Sequence, residues 1–416
     1  MKVLAVPDGH FDAITKLKTD NKYLYSISRD KTLRIWDKKS FKEVAALKKH
    51  DNIINTIALD ENRIYLGYSI DGTIHILDKK SFNRIAILKG HRYSIMSIAV
   101  DERYIYSGSY YETIRVWDKK SFKETAFLEG HSDSVTSIAL DDYYIYSGSF
   151  DETVRVWDKE SFKEIAVLEG HSSLVLSIAV DERYIYSGSD DRTVRVWDKK
   201  SFKEIAVLEG HSDTVKSIAV DERYIYSGSY DNTVRVWDKS SFKEITVLEG
   251  HSNSILNVVV DDHFVYSTSL DKTIRIWDKK SFAHVTSFED KFYPSYRLAI
   301  DENLLYSGSE SGTISIFHRP CQEPSDIKFR LKIVLLNASG INYSIFKNSN
   351  LKINGCIFNN IIGEFDEKDP NSIEILKQIS NGELLPIDTT GSGFVYDPKL
   401  VDRANELLTK YSKEGK

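Results

Sequence analysis

The dipeptide Trp-Asp occurs at Trp36, Trp117, Trp157, Trp197, Trp237 and Trp277, and the last five are 40 residues apart. Leu77-Asp78 and Phe317-His318 fill the missing slots in the same phase. Upstream of each slot stands a histidine, usually after glycine: His10, His50, His91, His131, His171, His211 and His251, with Lys291 at the eighth point. A fixed period of this length marks a chain in which one supersecondary unit is copied, each copy burying its apolar face against the next. That overrides the two or three ordinary domains that 416 residues would otherwise suggest.

Residues 211–250, HSDTVKSIAVDERYIYSGSYDNTVRVWDKSSFKEITVLEG, represent the unit. It holds four short segments rich in Val, Ile, Tyr and Ser, separated by polar turns, with no helical periodicity. Strands are expected near 214–220, 223–229, 232–237 and, outermost, 242–248. Gly-His, Ser, Asp and Trp-Asp recurring in phase resemble WD40 repeats, and the resemblance covers residues 1 to about 320. It implies an all-β, eight-bladed WD40 β-propeller over 1–318. An open ring would leave a sheet edge exposed. The N-terminal MKVLAVPDGH aligns with the outer-strand sequence FKEIAVLEGH at 162–171, and nothing after Phe317-His318 supplies an outer strand. Residues 1–7 are therefore expected to complete the last blade and close the ring. A seven-bladed ring with one stray unit is the alternative.

Five repeats carry His, Ser, Asp and Trp at fixed spacing: His10, Ser26, Asp30, Trp36; His131, Ser147, Asp151, Trp157; His171, Ser187, Asp191, Trp197; His211, Ser227, Asp231, Trp237; and His251, Ser267, Asp271, Trp277. Ser, His and Asp together suggest nucleophilic catalysis. An active site is normally built once, however, and none of these serines sits in a G-x-S-x-G elbow. On the WD40 resemblance they form a structural network. Asp accepts from His, His donates onward to Ser, and Ser accepts from the indole N–H. Repeat 2 has Gly67 for the serine and Leu77 for the tryptophan, repeat 3 has Tyr111 for the aspartate, and repeat 8 has Lys291, Ser311 and Phe317 beside Ser307. Blade 2 and the blade 8 closure are expected to open first.

Repeats 5 and 6 differ at seven of forty positions, and five of the seven lie in or beside the turn after Gly-His or the turn before the third strand. Those turns are expected on one face of the ring. Just before the turn aspartate that face presents Arg29, Ile70, Tyr110, Phe150, Asp190, Tyr230, Leu270 and Glu310, with Lys16, Arg92, Arg192 and Lys216 on or near it. Exposed aromatics on a rigid frame give large contact area at low entropic loss. The opposite face carries Lys38-Lys39, Lys79-Lys80, Lys119-Lys120, Lys199-Lys200 and Lys279-Lys280, each flanked by acids, so local neutralisation is expected there.

A net charge of −6 disfavours nucleic acid as a partner. No apolar run reaches the roughly 18 to 20 residues needed to cross a bilayer, and MKVLAVPDGH lacks the apolar core of a signal peptide, so a soluble cytoplasmic protein is expected. Two cysteines, Cys321 and Cys356, make no disulfide framework or zinc site, and no cofactor is expected. After His318, residues 319–326 read as a linker. Residues 327–416 read as a small α+β C-terminal module: strand at 327–337 and within 341–363, helices at 371–380 and 398–415, and a flexible TTGSG between them. Cys356 reads as a small core residue rather than a nucleophile. The function expected is a non-enzymatic scaffold, its propeller monomeric, that binds a protein or peptide partner. The alternative is a small-ligand-binding or enzymatic propeller with its site at the channel mouth or in the C-terminal module.

Overall fold

In the third quarter of the chain, Val215–Val220, Tyr224–Ser229, Val234–Asp238 and Glu244–Leu248 form four strands. Each pairs antiparallel with the next to make one four-stranded sheet. β-branched and aromatic residues at successive positions favour extended chain, and the turns are fixed by aspartate. Asp221 Oδ1 accepts from the Arg223 and Tyr224 amides, while Asp238 Oδ1 accepts from those of Ser240 and Ser241. The second of these turns ends on Phe242 at φ 56°, and phenylalanine adopts such a left-handed φ in seven of the eight blades.

The computed structural model describes residues 4–5, 9–47, 52–289 except 112, 295–319 except 302–303, and strands at 350–353, 356–359, 387–388 and 395–396. It contains eight four-stranded sheets, and seven run in sequence order. In the eighth, Leu4–Ala5 pairs antiparallel with Ile314–His318, Leu4 opposite Ile316 and Ala5 opposite Ser315. The molecule is thus an eight-bladed propeller closed by its N-terminal strand, and the seven-bladed alternative falls. Short Leu–Ala pairing suffices because the strand only has to cover one edge.

The core lies between blades. One cluster joins Tyr186, Val194, Val196 and Leu208 of blade 5 to Val215, Ile218, Ile225 and Trp237 of blade 6, and equivalent clusters recur around the ring. Gly148 faces the seam between blades 4 and 5: a Cβ there would stand 2.8 Å from Val175 Cγ1 of the next blade, which is why glycine is used. Nearer the axis, neighbouring inner strands are tied by hydroxyls. Ser97 accepts from the Ile138 amide at 3.1 Å, and Ser217 from that of Val258 at 3.1 Å.

On the opposite face the lysine pairs are neutralised by acids, and those acids come from the adjoining blade. The first lysine of each pair is neutralised by an aspartate of the preceding blade: Lys79 meets Asp20, Lys119 meets Asp60, Lys199 meets Asp141 and Lys279 meets Asp221. Each of these aspartates also accepts from a buried tyrosine hydroxyl, such as Tyr226 for Asp221. Phe242 stacks edge-on against Tyr184 across the same seam, at 5.5 Å.

Of the C-terminal region, two hairpins are described. Asn350–Ile353 pairs with Cys356–Asn359, and Ile387–Asp388 pairs with Val395–Tyr396. The TTGSG segment, expected as a flexible break, lies outside the described residues. The expected strand at 327–337, both expected helices and nearly all of the 319–326 linker lie outside the described residues, as do the surroundings of Cys356.

Candidate interaction face and the network behind it

In blades 1, 4, 5, 6 and 7 the histidine bridges two turns. Its Nδ1 lies 2.6–2.8 Å from the aspartate Oδ2 and its Nε2 2.7–2.8 Å from the serine Oγ. The tryptophan Nε1 donates to the same serine at 2.9–3.0 Å. The carboxylate also accepts from the threonine hydroxyl two residues on, at 2.7 Å, and from that residue's amide. With one proton on the imidazole, that proton faces the carboxylate from Nδ1. In that tautomer Nε2 accepts from the serine hydroxyl. Burial alone would raise the Asp30 carboxyl, but hydrogen bonds from His10 and Thr32 hold it down at about 2. Asp151, Asp191, Asp231 and Asp271 are lowered in the same way. All five serines are fully buried beneath the tryptophan, so none can meet a substrate.

Blade 2 differs from its expected pattern. Leu66, not Gly67, occupies the serine position: Leu66 pairs with Ile57 as Ser227 pairs with Ile218. One extra turn residue shifts the alignment by one. Leu66 and Leu77 then enter one apolar cluster with Ile57 and Ile64, so contact between leucines replaces the Ser–Trp hydrogen bond. In blade 8 the Ser307 hydroxyl is buried with no hydrogen-bond partner among the described residues.

Blade 3 loses its aspartate to Tyr111, which adopts φ 99°, an unusual conformation for a bulky side chain. Among the described residues His91 keeps Ser107 at 2.8 Å and otherwise reaches the Thr113 hydroxyl, at 3.2 Å. Burial and then the facing Arg115, with no carboxylate partner among the described residues, push its imidazole down to about 3. Released from the network, the Tyr111 ring turns outward. It lies 4.5 Å from the Tyr93 ring and 5.0 Å from Tyr110, and all three are exposed, at 51%, 49% and 42%. Ile70, in the corresponding turn of blade 2, is 72% exposed.

The two variable turns do lie at one end of each blade, since the Tyr230 amide donates to the Thr214 carbonyl and the Ser229 hydroxyl to that of Asp213. Arg29, Arg92, Asp190, Arg192 and Glu310 are exposed there, and Phe150, Tyr230 and Leu270 are half-buried. Lys16 and Lys216 sit elsewhere: they are half-buried on the inner strands, and Lys16 donates to Thr56 at 2.9 Å. Sequence comparison of repeats missed Tyr93 and Tyr111 as face residues. The signal was present in Tyr111 itself, an aromatic in a slot reserved for a hydrogen-bonding carboxylate. Among the described residues no His/Cys/Asp/Glu group could hold a metal ion, and no helix is long and apolar enough to cross a membrane.

Comparison with known proteins agrees with this geometry. No curated protein matches the chain. Among solved structures it is similar to the computationally designed Ika8 protein, at 27% identity and a TM-score of 0.71, over 75% of this chain and 98% of that one. The family model described as "WD domain, G-beta repeat" matches residues 1–37, 82–118, 122–158, 162–198, 202–238 and 242–278, together more than half of the chain. Each match opens on an outer strand and ends at the Trp-Asp of the following blade, so the match at 1–37 places the N-terminal segment in the outer-strand slot. The chain belongs to the WD40-repeat family.

Proposed function

We propose that this propeller is a non-enzymatic scaffold that holds a protein or peptide partner on the face built from the turns after Gly-His and before the third strands. The observation that carries this reading is the tyrosine group of blade 3. Tyr93, Tyr110 and Tyr111 gather on the surface beside exposed Ile70 and Arg92. The blade gives up its buried aspartate network and accepts a left-handed tyrosine to place them there. Rigid aromatics with a neighbouring arginine are the residue types that dominate interface energetics. The half-buried Phe150, Tyr230 and Leu270 continue the face into blades 4, 6 and 7 and would form its rim.

Affinity capture with the full chain tests this, with Tyr93→Glu and Tyr110→Glu as face variants and Lys200→Glu as an opposite-face control. A protein held by the wild type and the control but lost with either face variant is the expected result. A partner held equally by all four baits would sink the reading.

A further inference from the structure

The eight inner strands are Ile14–Thr19, Ile54–Leu59, Ile95–Val100, Val135–Leu140, Val175–Val180, Val215–Val220, Ile255–Val260 and Ser295–Ile300. They carry four basic residues, Lys16, Lys18, Lys216 and Arg297, and no aspartate or glutamate. In a chain with more acids than bases, this wall is purely cationic.

The positions are specific. Lys16 and Arg297 occupy the strand position that is serine in blades 3 to 6, where a small hydroxyl ties one inner strand to the next. Lys18 stands where the other seven blades have alanine or valine. Lys216 stands where blades 5 and 7 have leucine. Blades therefore assemble without these charges, and small or apolar side chains are the local default.

The charges also act on one another. Burial pushes the Lys16 ammonium down to about 7, with Arg297 and Lys18 adding to the effect. Lys216 is lowered by burial and then by Arg297, with Asp190 opposing. Lys18, though its side chain reaches solvent, is lowered because the surrounding wall displaces its water. Arg297 donates to the Thr15 carbonyl at 2.9 Å and lies within electrostatic reach of blades 1 and 6 together. Like charges held together at a loss in folding free energy are a mark of a site kept for a ligand. Beside Lys16 and Lys18 is a cavity of about 580 Å³, lined by these two lysines with Thr19, Thr56 and Ser97 and by apolar side chains of blades 2 to 4. That volume falls within the range of small-molecule sites.

We infer that the inner wall at blades 8, 1 and 2, with Lys216 opposite, binds a compact, multiply charged phosphate compound. Lys16 and Lys18 reach the cavity from blade 1, while Arg297 of blade 8 and Lys216 of blade 6 add their charge along the same wall. A chain of tetrahedral phosphates offers oxygens in every direction, whereas a carboxylate offers two in a plane. Lysines supply point charges and Arg297 a fork, the usual division of labour for phosphates. This site lies on the inner strands and is independent of the partner face.

The test is calorimetric titration of the full chain with inorganic tripolyphosphate, with citrate as the carboxylate control. The variants use side chains the repeat already tolerates: Lys16→Ser, Lys18→Ala, Lys216→Leu and Arg297→Ser. Tripolyphosphate is expected to bind, each variant to weaken it about tenfold or more, and citrate to bind far less well. Affinity is expected to fall as pH rises from 6 to 9. The ligand favours protonated Lys16 against Arg297, Lys18 and Lys216, while Asp190 and Tyr230 face Lys216 and Arg297 from the neighbouring turns. Proton uptake at pH 8, read from the dependence of the heat on buffer, is the signature of that step. No heat with folded wild type, unchanged affinity in the four variants, or equal binding of citrate would each overturn the assignment.

Discussion

Lys38 Nζ lies 2.6 Å from Asp301 Oδ2, joining the first blade to the last. The same contact joins consecutive blades elsewhere, for example Lys79 to Asp20 at 2.7 Å; at this seam it reinforces a covalent link that is held to the last blade only by the two-residue pairing of Leu4–Ala5. Both side chains are about one-seventh exposed, and Asp301 also accepts from the Tyr306 hydroxyl at 2.7 Å. Removing one partner leaves a largely buried charge uncompensated.

Lys38→Met is therefore expected to destabilise the propeller by about 1–3 kcal/mol. Lys159→Met, which breaks the internal Asp101 contact, is expected to do less damage, since the outer strand that links those blades, Glu124–Leu128, is paired along its length and not over two residues only. Denaturant unfolding of the two variants checks this. Equal midpoints would show that the ring does not depend on its seam contact.

Tyr111→Asp restores the aspartate that six other blades possess. His91 would regain a carboxylate, a gain of roughly 1.5–3 kcal/mol for a hydrogen bond to a charged group, while the exposed tyrosine group loses its centre. Higher Tm with loss of partner capture is the expected combination. A variant that is no more stable would mean that the blade 3 turn cannot readopt the common geometry.

The architecture was legible in the sequence because a 40-residue period needs no long-range information: each blade repeats one set of alternations and turns. Closure by the N-terminal segment was legible for the same reason, as an outer-strand sequence displaced to the front of the chain. What escaped were relations between blades. That Lys79 pairs with Asp20, or that Leu66 rather than Gly67 stands in the serine slot, depends on register across a seam. A one-residue insertion in the turn changes that register without altering the pattern on either side. Lys18 and Arg297 escaped because nothing in a strand sequence says which side chains share an axis with those of distant blades.

Acidification separates blade 3 from the others. The His91 imidazole, lowered to about 3 from 6.5, is neutral in the fold while the unfolded chain takes up a proton. Stability from this group is complete above about 6.5 and is lost as pH falls toward 3. Asp30, lowered to about 2 from 3.8, contributes stability that is present above 3.8 and is lost as pH falls through 2. Hydrogen exchange between pH 7 and 4 should thus show 104–118 losing protection before 184–198. Simultaneous loss in both segments would contradict the assignment of early acid lability to His91.

Lys16 has the opposite dependence. The fold lowers its ammonium from 10.5 to about 7, so between those values the unfolded chain holds a proton that the folded chain has released. Stability then rises with pH across that window, and at pH 7 the residue is a net burden. Lys16→Ser, which installs the hydroxyl used by blades 3 to 6, should raise stability at pH 7 by about 1–3 kcal/mol, given the half-exposed setting. It should also flatten the slope between pH 7 and 10. Urea midpoints for wild type and variant at pH 7, 8.5 and 10 decide the matter. If the gain at pH 7 persists unchanged at pH 10, it comes from packing and not from charge. If it disappears by pH 10, the wall is holding a cation that folding alone would discard.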